Sequence, residues 1–213
     1  MMSKIFIING GQEFNESKGL FNKLLTEWTE NTAKELGFEV RITHIEDGYE
    51  IETEIENFIW ADAIVVHTPI WWFQLPYKFK QYIDLVFQNG RGKIYKSDGR
   101  TRTNPEINYG TGGLLKGKKY MITSSWNAPA GAFTIKDEIM DQKTVDEGVL
   151  FGVHIAMKFV GLSKLDGFHF YDIVKGLTPQ RFEDYHKSYI AHLKQTFEPV
   201  NNNRDENLSL KTL

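Results

Sequence analysis

Apolar residues along this chain fall into short continuous runs that alternate with longer stretches repeating at helical spacing. Ile5 to Ile8 is a short run ended by Asn9-Gly10-Gly11 and reads as a buried first strand. Leu20, Phe21, Leu24, Leu25, Trp28 and Leu36 then share one helical face, and Gly37 stops the pattern. Val40 to Ile45 alternates as a second strand, Ile51 to Trp60 fits a short helix, and Ala63 to Thr68 is a third, uniformly apolar strand. Phe79, Tyr82, Ile83, Val86 and Phe87 follow at helical spacing after Pro76, a residue suited to a first helical turn. Lys119 to Ser125 reads as a fourth strand. Val149, Leu150, Val153, Met157 and Val160 form a helical face closed by Gly161. Leu165 to Phe170 is a weaker fifth strand, and Thr178-Pro179 opens a last amphipathic helix with Thr178 as its N-cap.

Strands alternating with helices in this way predict an α/β fold, with a parallel sheet, right-handed crossovers and helices on both faces. The expected architecture is a flavodoxin-like three-layer sandwich whose five strands run in the order 2-1-3-4-5. A six-stranded Rossmann sheet fits less well, because the pattern offers no sixth strand. One domain is expected over residues 1–198, with a polar C-terminal tail at 199–213. Residues 88–117 break the rhythm, and an insert that long without a clear element inside a compact domain is usually functional.

Composition narrows the function classes. At 213 residues the chain suits a single core. The formal charge of −3 gives no global attraction to nucleic acid or to an anionic membrane. No apolar run approaches the ~20 residues that cross a bilayer, so no membrane insertion is expected. No signal peptide is visible, and a cytoplasmic location is expected. The absence of cysteine excludes thiolate catalysis, disulfides and a cysteine zinc site. The six histidines are scattered without metal-ligand spacing, so no metal is expected, and His154 reads as a satisfied buried side chain.

Three segments carry candidate chemistry. The loop Gly10 to Gly19 joins the first strand to the first helix, and Ser17 sits where an N-cap belongs. Either Ser17 simply caps the helix, or the first-turn N–H groups, with Lys18, seat a phosphate. Its spacing is not that of a dinucleotide-binding glycine loop. Thr68 to Leu75 crowds Pro69, Ile70, Trp71, Trp72 and Phe73 into a strand-to-helix turn, where they either seal a core or interface or wall a flat ring. Ser124-Ser125-Trp126-Asn127-Ala128-Pro129 ends the fourth strand at the same sheet edge, as a capped turn or as polar contacts for a heteroaromatic ring. Gly112 to Lys118 mimics a Walker loop but precedes a strand and lacks the following Ser or Thr. The basic residues of the insert read as a solvated loop, as a lure for a phosphorylated nicotinamide nucleotide, or as a surface for pairing with an acidic partner. The acidic stretch from Glu46 to Glu56 reads as a solvated face.

Taken together, NGGQEF…SKGLFN, WADAIVVHTPIWWFQLPYKFKQYIDLVF, YKSDGRTR, YGTGGLLKGKKYM and SSWNAP resemble the MdaB-type (modulator of drug activity B) NAD(P)H:quinone oxidoreductases, over about residues 4–195. The resemblance implies a homodimer with FAD near the subunit interface, FMN tolerated, and NADPH or NADH as co-substrate. It implies two-electron transfer to a quinone by a ping-pong mechanism, with the flavin carrying the chemistry and no catalytic side chain required. Carried onto this chain, Ser17, Lys18, Gly19, Leu20, Phe21, Asn22, Lys23 and Leu24 would surround the FAD diphosphate and adjoining groups. Pro69, Ile70, Trp71, Trp72 and Phe73 would flank the isoalloxazine, with Tyr109, Ser125, Trp126, Asn127 and Ala128 completing the pocket. Glu16 departs from the histidine that the family often has before the loop serine, and a carboxylate there weakens an anion seat. An FMN-dependent azo- or nitro-compound reductase on the same fold is the near alternative. A non-enzymatic electron carrier is the distant one.

Overall fold

The computed structural model describes residues 2–197, so the expected tail lies outside the described residues. The elements are β1 (Lys4–Asn9), α1 (Leu20–Glu35), β2 (Glu39–His44), α2 (Ile51–Trp60), β3 (Ala63–Pro69), α3 (Tyr77–Asn89) and β4 (Lys119–Ser125). They continue with α4 (Gly131–Thr134), α5 (Phe151–Phe159), β5 (Ser163–Lys164), β6 (Phe168–Phe170) and α6 (Pro179–Phe197). The sheet is parallel in the order β2-β1-β3-β4-β5, with β6 also on β4. This is the flavodoxin-like order that the alternation predicts.

The strands show why the alternation holds. Ile5 and Ile7 of β1, Ala63 and Val65 of β3 and Met121 of β4 face one core with Leu25 of α1 and Tyr189 and Leu193 of α6. Phe6 and Ile8, Ile64 and Val66, and Tyr120 and Ile122 face the other core with Ile55 and Phe58 of α2, Phe79 and Tyr82 of α3, and Met157 of α5. Successive side chains on a strand point to opposite faces, so a sheet covered on both sides reads as a continuous apolar run.

The structure corrects the sequence reading at four places. The fifth strand is divided: β5 pairs with Lys119 and Tyr120, β6 with Thr123 to Ser125, and one extra residue is taken up between them. Gly167 permits that bulge, since a Cβ there would stand 2.5 Å from the Ile122 carbonyl oxygen. The sixth strand segment therefore extends an existing edge and adds no Rossmann strand. Ser17 does not cap α1; Gly19 does so, in the left-handed region at φ 64° and with no side-chain hydrogen bond. Glu54 is not solvated: it is 2 % exposed and accepts hydrogen bonds from Tyr82 (2.6 Å), Thr43 (2.8 Å) and Asn57 (3.2 Å). It lies on the inward side of α2, where the acidic run left no periodic sign of it. A short α4 also appears where no element is predicted. Thr178 does cap α6, accepting from the Arg181 N–H at 3.2 Å.

The insert occupies the sheet edge at which strands begin, because α3 carries the chain there from the end of β3 before β4 starts. Some of the basic side chains there are engaged locally. Lys93 pairs with Glu52 and Arg100 with Asp98, while Lys118 donates to the carbonyls of Ile59 and Ala61 at the end of α2.

Candidate functional site

At the opposite edge, where the parallel strands end, a cleft of about 600 Å³ lies between the loop after β1, the turn after β3 and the turn after β4. Its size falls within the ~300–1,000 Å³ typical of small-molecule sites. Open α/β sheets bind ligands at this edge. The cleft is lined by Glu16 to Asn22, by Pro69 to Trp71, by Ser125 and Asn127, and by Ile173 and Val174.

The first wall is the start of α1. Helices leave their first N–H groups without intrahelical partners, and here no side chain caps them. Leu20, Phe21 and Asn22 begin the helix and line the cleft, so unspent donors and the positive end of the helix dipole meet there. Gly19 makes this possible, because its left-handed backbone turns the chain into the helix without a capping side chain over the opening. Ser17 is engaged elsewhere: its backbone exchanges two hydrogen bonds with Phe14, closing a tight turn over Asn15 and Glu16. Lys18 is paired with Glu13 at 2.5 Å, and that contact holds the Glu13 carboxyl below its ordinary range. Asn22 is 3 % exposed; its amide nitrogen donates to Ser125 Oγ at 3.3 Å and its Oδ1 has no partner. A buried amide oxygen without a donor is costly, and a ligand hydroxyl would relieve it.

The second wall is a β-hairpin turn with an unusual sequence. Trp71 and Gln74 exchange two backbone hydrogen bonds of 3.0 Å across Trp72 and Phe73, which lie at φ 49° and φ 60°. Tight hairpin turns take such angles, but they favour Asn-Gly and not two bulky aromatics. Trp72 is 93 % exposed, so packing within the protomer does not compensate the backbone. Strain of this kind collects at functional sites. Trp71 leans on Phe14 with ring centroids 5.3 Å apart, which locks this turn to the loop after β1.

The third wall is the end of β4. Ser125 and Asn127 line the cleft, whereas the Trp126 side chain turns into the core, 3 % exposed, against Phe133 at 4.8 Å. The backbone of Trp126 and Ala128 is tied to residues 170–173 through Trp126 N to Phe170 O, Ile173 N to Trp126 O and Asp172 N to Ala128 O. That pairing brings in Ile173 and Val174, which sequence reasoning missed; short apolar residues after a weak strand carry no signal of their own. Lys23, Leu24, Trp72, Phe73 and Ala128 stand beside the cleft without lining it. Tyr109 is elsewhere, on the insert, against Phe159 at 5.7 Å and beneath the Arg100 guanidinium.

Behind this edge lies a buried polar chain. His67, fully enclosed in β3, has Nε2 3.1 Å from Thr29 Oγ1 and Nδ1 2.5 Å from Thr123 Oγ1, and Thr29 Oγ1 is 2.8 Å from the Tyr189 hydroxyl. Burial pushes the His67 imidazole down to about 3, so it is neutral in the folded protein. Its carbonyl accepts from the Gly10 N–H at 2.7 Å, which fixes the start of the loop after β1.

With that geometry in view, similarity to known proteins is informative. The sequence profile of a family described as having a flavodoxin-like fold matches residues 3–193. The NADPH:quinone oxidoreductase MdaB of Haemophilus influenzae is 43% identical over 194 residues, covering 91% of this chain and 98% of that protein. The chain belongs to this family of oxidoreductases. Membership sets aside the electron-carrier alternative. Two solved structures share the fold. The general stress protein 14 of Treponema denticola, in complex with FMN, has a TM-score of 0.64 and 20% identity, covering 91% of this chain and 99% of that one. An FMN-dependent NADH-azoreductase of Bacillus anthracis, in complex with FMN, has a TM-score of 0.62 and 16% identity over 91% and 99%. Among the described residues no helix is long and apolar enough to cross a membrane.

Proposed function

We propose that the protein is an NADPH:quinone oxidoreductase that holds FAD in the cleft and takes NADPH, then quinone, in turn against it. The observation that carries this reading is the uncapped first turn of α1, opening into the cleft beside the unpartnered amide oxygen of Asn22. The free N–H groups suit a phosphate, and the Asn22 oxygen suits a sugar-alcohol hydroxyl. FAD is favoured over FMN because the cleft also takes in Ile173 and Val174, an apolar ledge suited to adenine. Glu16 on the rim works more against two charges held on a single terminal phosphate than against the same charge spread over a pyrophosphate.

A flavin bound there supplies hydride chemistry. The net reaction takes a hydride from NADPH and a proton from solvent to the quinone, giving NADP⁺ and hydroquinone. The chain's own part is to seat the phosphates at Leu20 to Asn22, to wall the ring with Ile70 and Trp71, and to meet its polar edge with Ser125 and Asn127. Trp72 and Phe73 then cover the outer face and limit water. A flat stacking site with few polar groups rejects related rings poorly, so several quinones should serve. The FMN carried by both fold neighbours favours a second reading, an FMN-dependent azo-compound reductase.

One set of measurements decides between them. Purified protein should be yellow, and anaerobic NADPH should bleach its visible absorption. The flavin released on denaturation should migrate as FAD, and initial rates against both substrates should give parallel double-reciprocal lines. Protein that stays colourless after incubation with FAD or FMN overturns the proposal. Released FMN with faster azo-dye than quinone turnover selects the second reading.

Homodimer formation belongs to the same proposal. Tyr109 stands on the insert at the far sheet edge, so it can approach a cleft only from a second copy. Ile107, Tyr109, Ile139 and Phe151 are each more than half exposed, large apolar side chains that a second copy would cover. Sedimentation at micromolar concentration should give twice the mass of the 24.7 kDa chain, and Tyr109→Asp should shift it toward monomer. A monomer at those concentrations removes Tyr109 from the site.

A further inference from the structure

Behind the third wall lies a group of ionisable side chains that the proposed reaction does not use. Asp146, in the segment between α4 and α5, has Oδ1 2.9 Å from His154 Nε2 and 3.6 Å from His169 Nε2, and its Oδ2 is paired with Lys164. The other nitrogen of His154 is 2.8 Å from the Tyr120 hydroxyl. The other nitrogen of His169 is 2.8 Å from Ser124 Oγ, and Ser124 Oγ accepts from the Trp126 indole N–H at 2.7 Å. Ser124 is fully buried. Burial opposes the charge on Asp146, yet hydrogen bonds from His154 and Lys164, with His169 close by, hold its carboxyl well below the ordinary range.

The direction of this chain follows from one residue. An indole N–H only donates, so Trp126 must give its proton to Ser124 Oγ. Ser124 Oγ could accept a second hydrogen bond, but its own hydrogen has no acceptor among the described residues except His169 Nδ1. Satisfying that hydrogen leaves Nδ1 unprotonated, with the imidazole proton on Nε2, facing the Asp146 carboxylate. Every member has a defined role, and Ser124 is closed off from bulk solvent.

We propose that His169 is a positioning residue: through Ser124 and Trp126 it holds the turn Ser125–Ala128 in the shape that receives the flavin, with the Asp146 carboxylate facing its Nε2 from outside the cleft. The inference rests on the reading of the cleft as a flavin site. Trp126 is the residue of that turn whose side chain is buried within the core, and it lies between Ser125 and Asn127, the two that line the cleft. Removing the acceptor at His169 leaves a buried hydroxyl unpaired. The empty protein can relieve that by letting the turn swing outward, and flavin binding must then reverse the movement.

The test compares His169→Leu, which has no acceptor, with His169→Asn, whose Oδ1 lies near the place of Nδ1. Two quantities are read in the full chain: the dissociation constant for FAD, and hydrogen exchange at the Trp126 indole, assigned by its loss in Trp126→Phe. His169→Leu should weaken FAD binding and speed indole exchange by about tenfold each, the equivalent of one unpaired buried hydroxyl. His169→Asn should restore both to within about threefold of the wild type. If His169→Leu does not fold, Ser124→Ala should produce the same pair of changes. A folded His169→Leu or Ser124→Ala with unaltered exchange and affinity overturns the proposal, as does His169→Asn behaving like His169→Leu. Wild-type protein that binds no flavin overturns the cofactor reading and the role in retention, and indole exchange then decides whether the hydrogen-bond chain exists.

Discussion

Replacing Trp72-Phe73 with Asn-Gly should yield a protein that is more stable and a poorer enzyme. Both residues hold left-handed backbone angles that Asn and Gly adopt with little strain, and Trp72 is almost wholly exposed, so its removal forfeits almost no packing. Strained positions of this kind cost ~1–3 kcal/mol each, part of which is offset here by the contacts that half-buried Phe73 gives up. A net gain of about 1–2 kcal/mol is expected in urea unfolding of dilute flavin-free protein. Quinone turnover should move the other way, with kcat/KM down at least ~10-fold, because the outer cover of the ring is lost. Adding flavin should stabilise the wild type more than the variant, narrowing the gap. If the double variant is less stable without flavin, or as active as the wild type, the turn is structural and the strain has another cause.

A pH-dependent loss of stability traceable to a single imidazole is the second large effect. His67 is neutral when folded and binds a proton near the ordinary histidine value once unfolded. Between about 6.5 and about 3 the unfolded chain therefore holds a proton that the native protein lacks. Linkage fixes the sign: stability falls as pH drops through that window, and it is unaffected by His67 above it. At ~1.4 kcal/mol per pH unit, His67 should account for roughly 2–3 kcal/mol of the loss between pH 7 and pH 4.5. His67→Gln retains neutral hydrogen bonding. It should be less stable than the wild type at pH 7 and close the difference as pH falls. Urea midpoints for the two proteins at four or five pH values provide the check. A difference that stays constant with pH would mean that His67 is solvated or already charged in the native state.

The sheet was legible in the sequence because it is covered on both sides. Runs such as Ala63 to Val66 have no polar break, and the turns that bound them end in glycine or proline. The edge strand was read less well, since β5 and β6 are short, each rests on one neighbour only, and nothing between Leu165 and Phe168 announces the added residue. At the candidate site, the three segments singled out in the sequence converge on one cleft. What the sequence obscured was orientation. Trp126 and Trp71 look equivalent as aromatic residues near a strand end, yet one enters the core and the other lines the cleft. Ser17 has the composition of a cap, but capping depends on the path of the preceding loop, and the Phe14–Ser17 turn takes it out of reach. Ile173 and Val174 reach the cleft only through backbone pairing with the turn after β4, a long-range contact that local spacing does not encode.

The divided border strand also bears on how the molecule behaves in a crowded solution. A long, straight margin of unpaired N–H and C=O groups is a template on which a further chain can lay itself down. Here the exposed margin beyond β4 is broken into pieces of two and three residues with a kink between them, so no incoming segment can keep step along it. The opposite margin, β2, carries the exposed charges Glu39 and Arg41, the latter laid over Trp60 and Asn57 of α2. The layer is thereby closed to growth at both ends, and self-association is left to the surfaces that its side chains define.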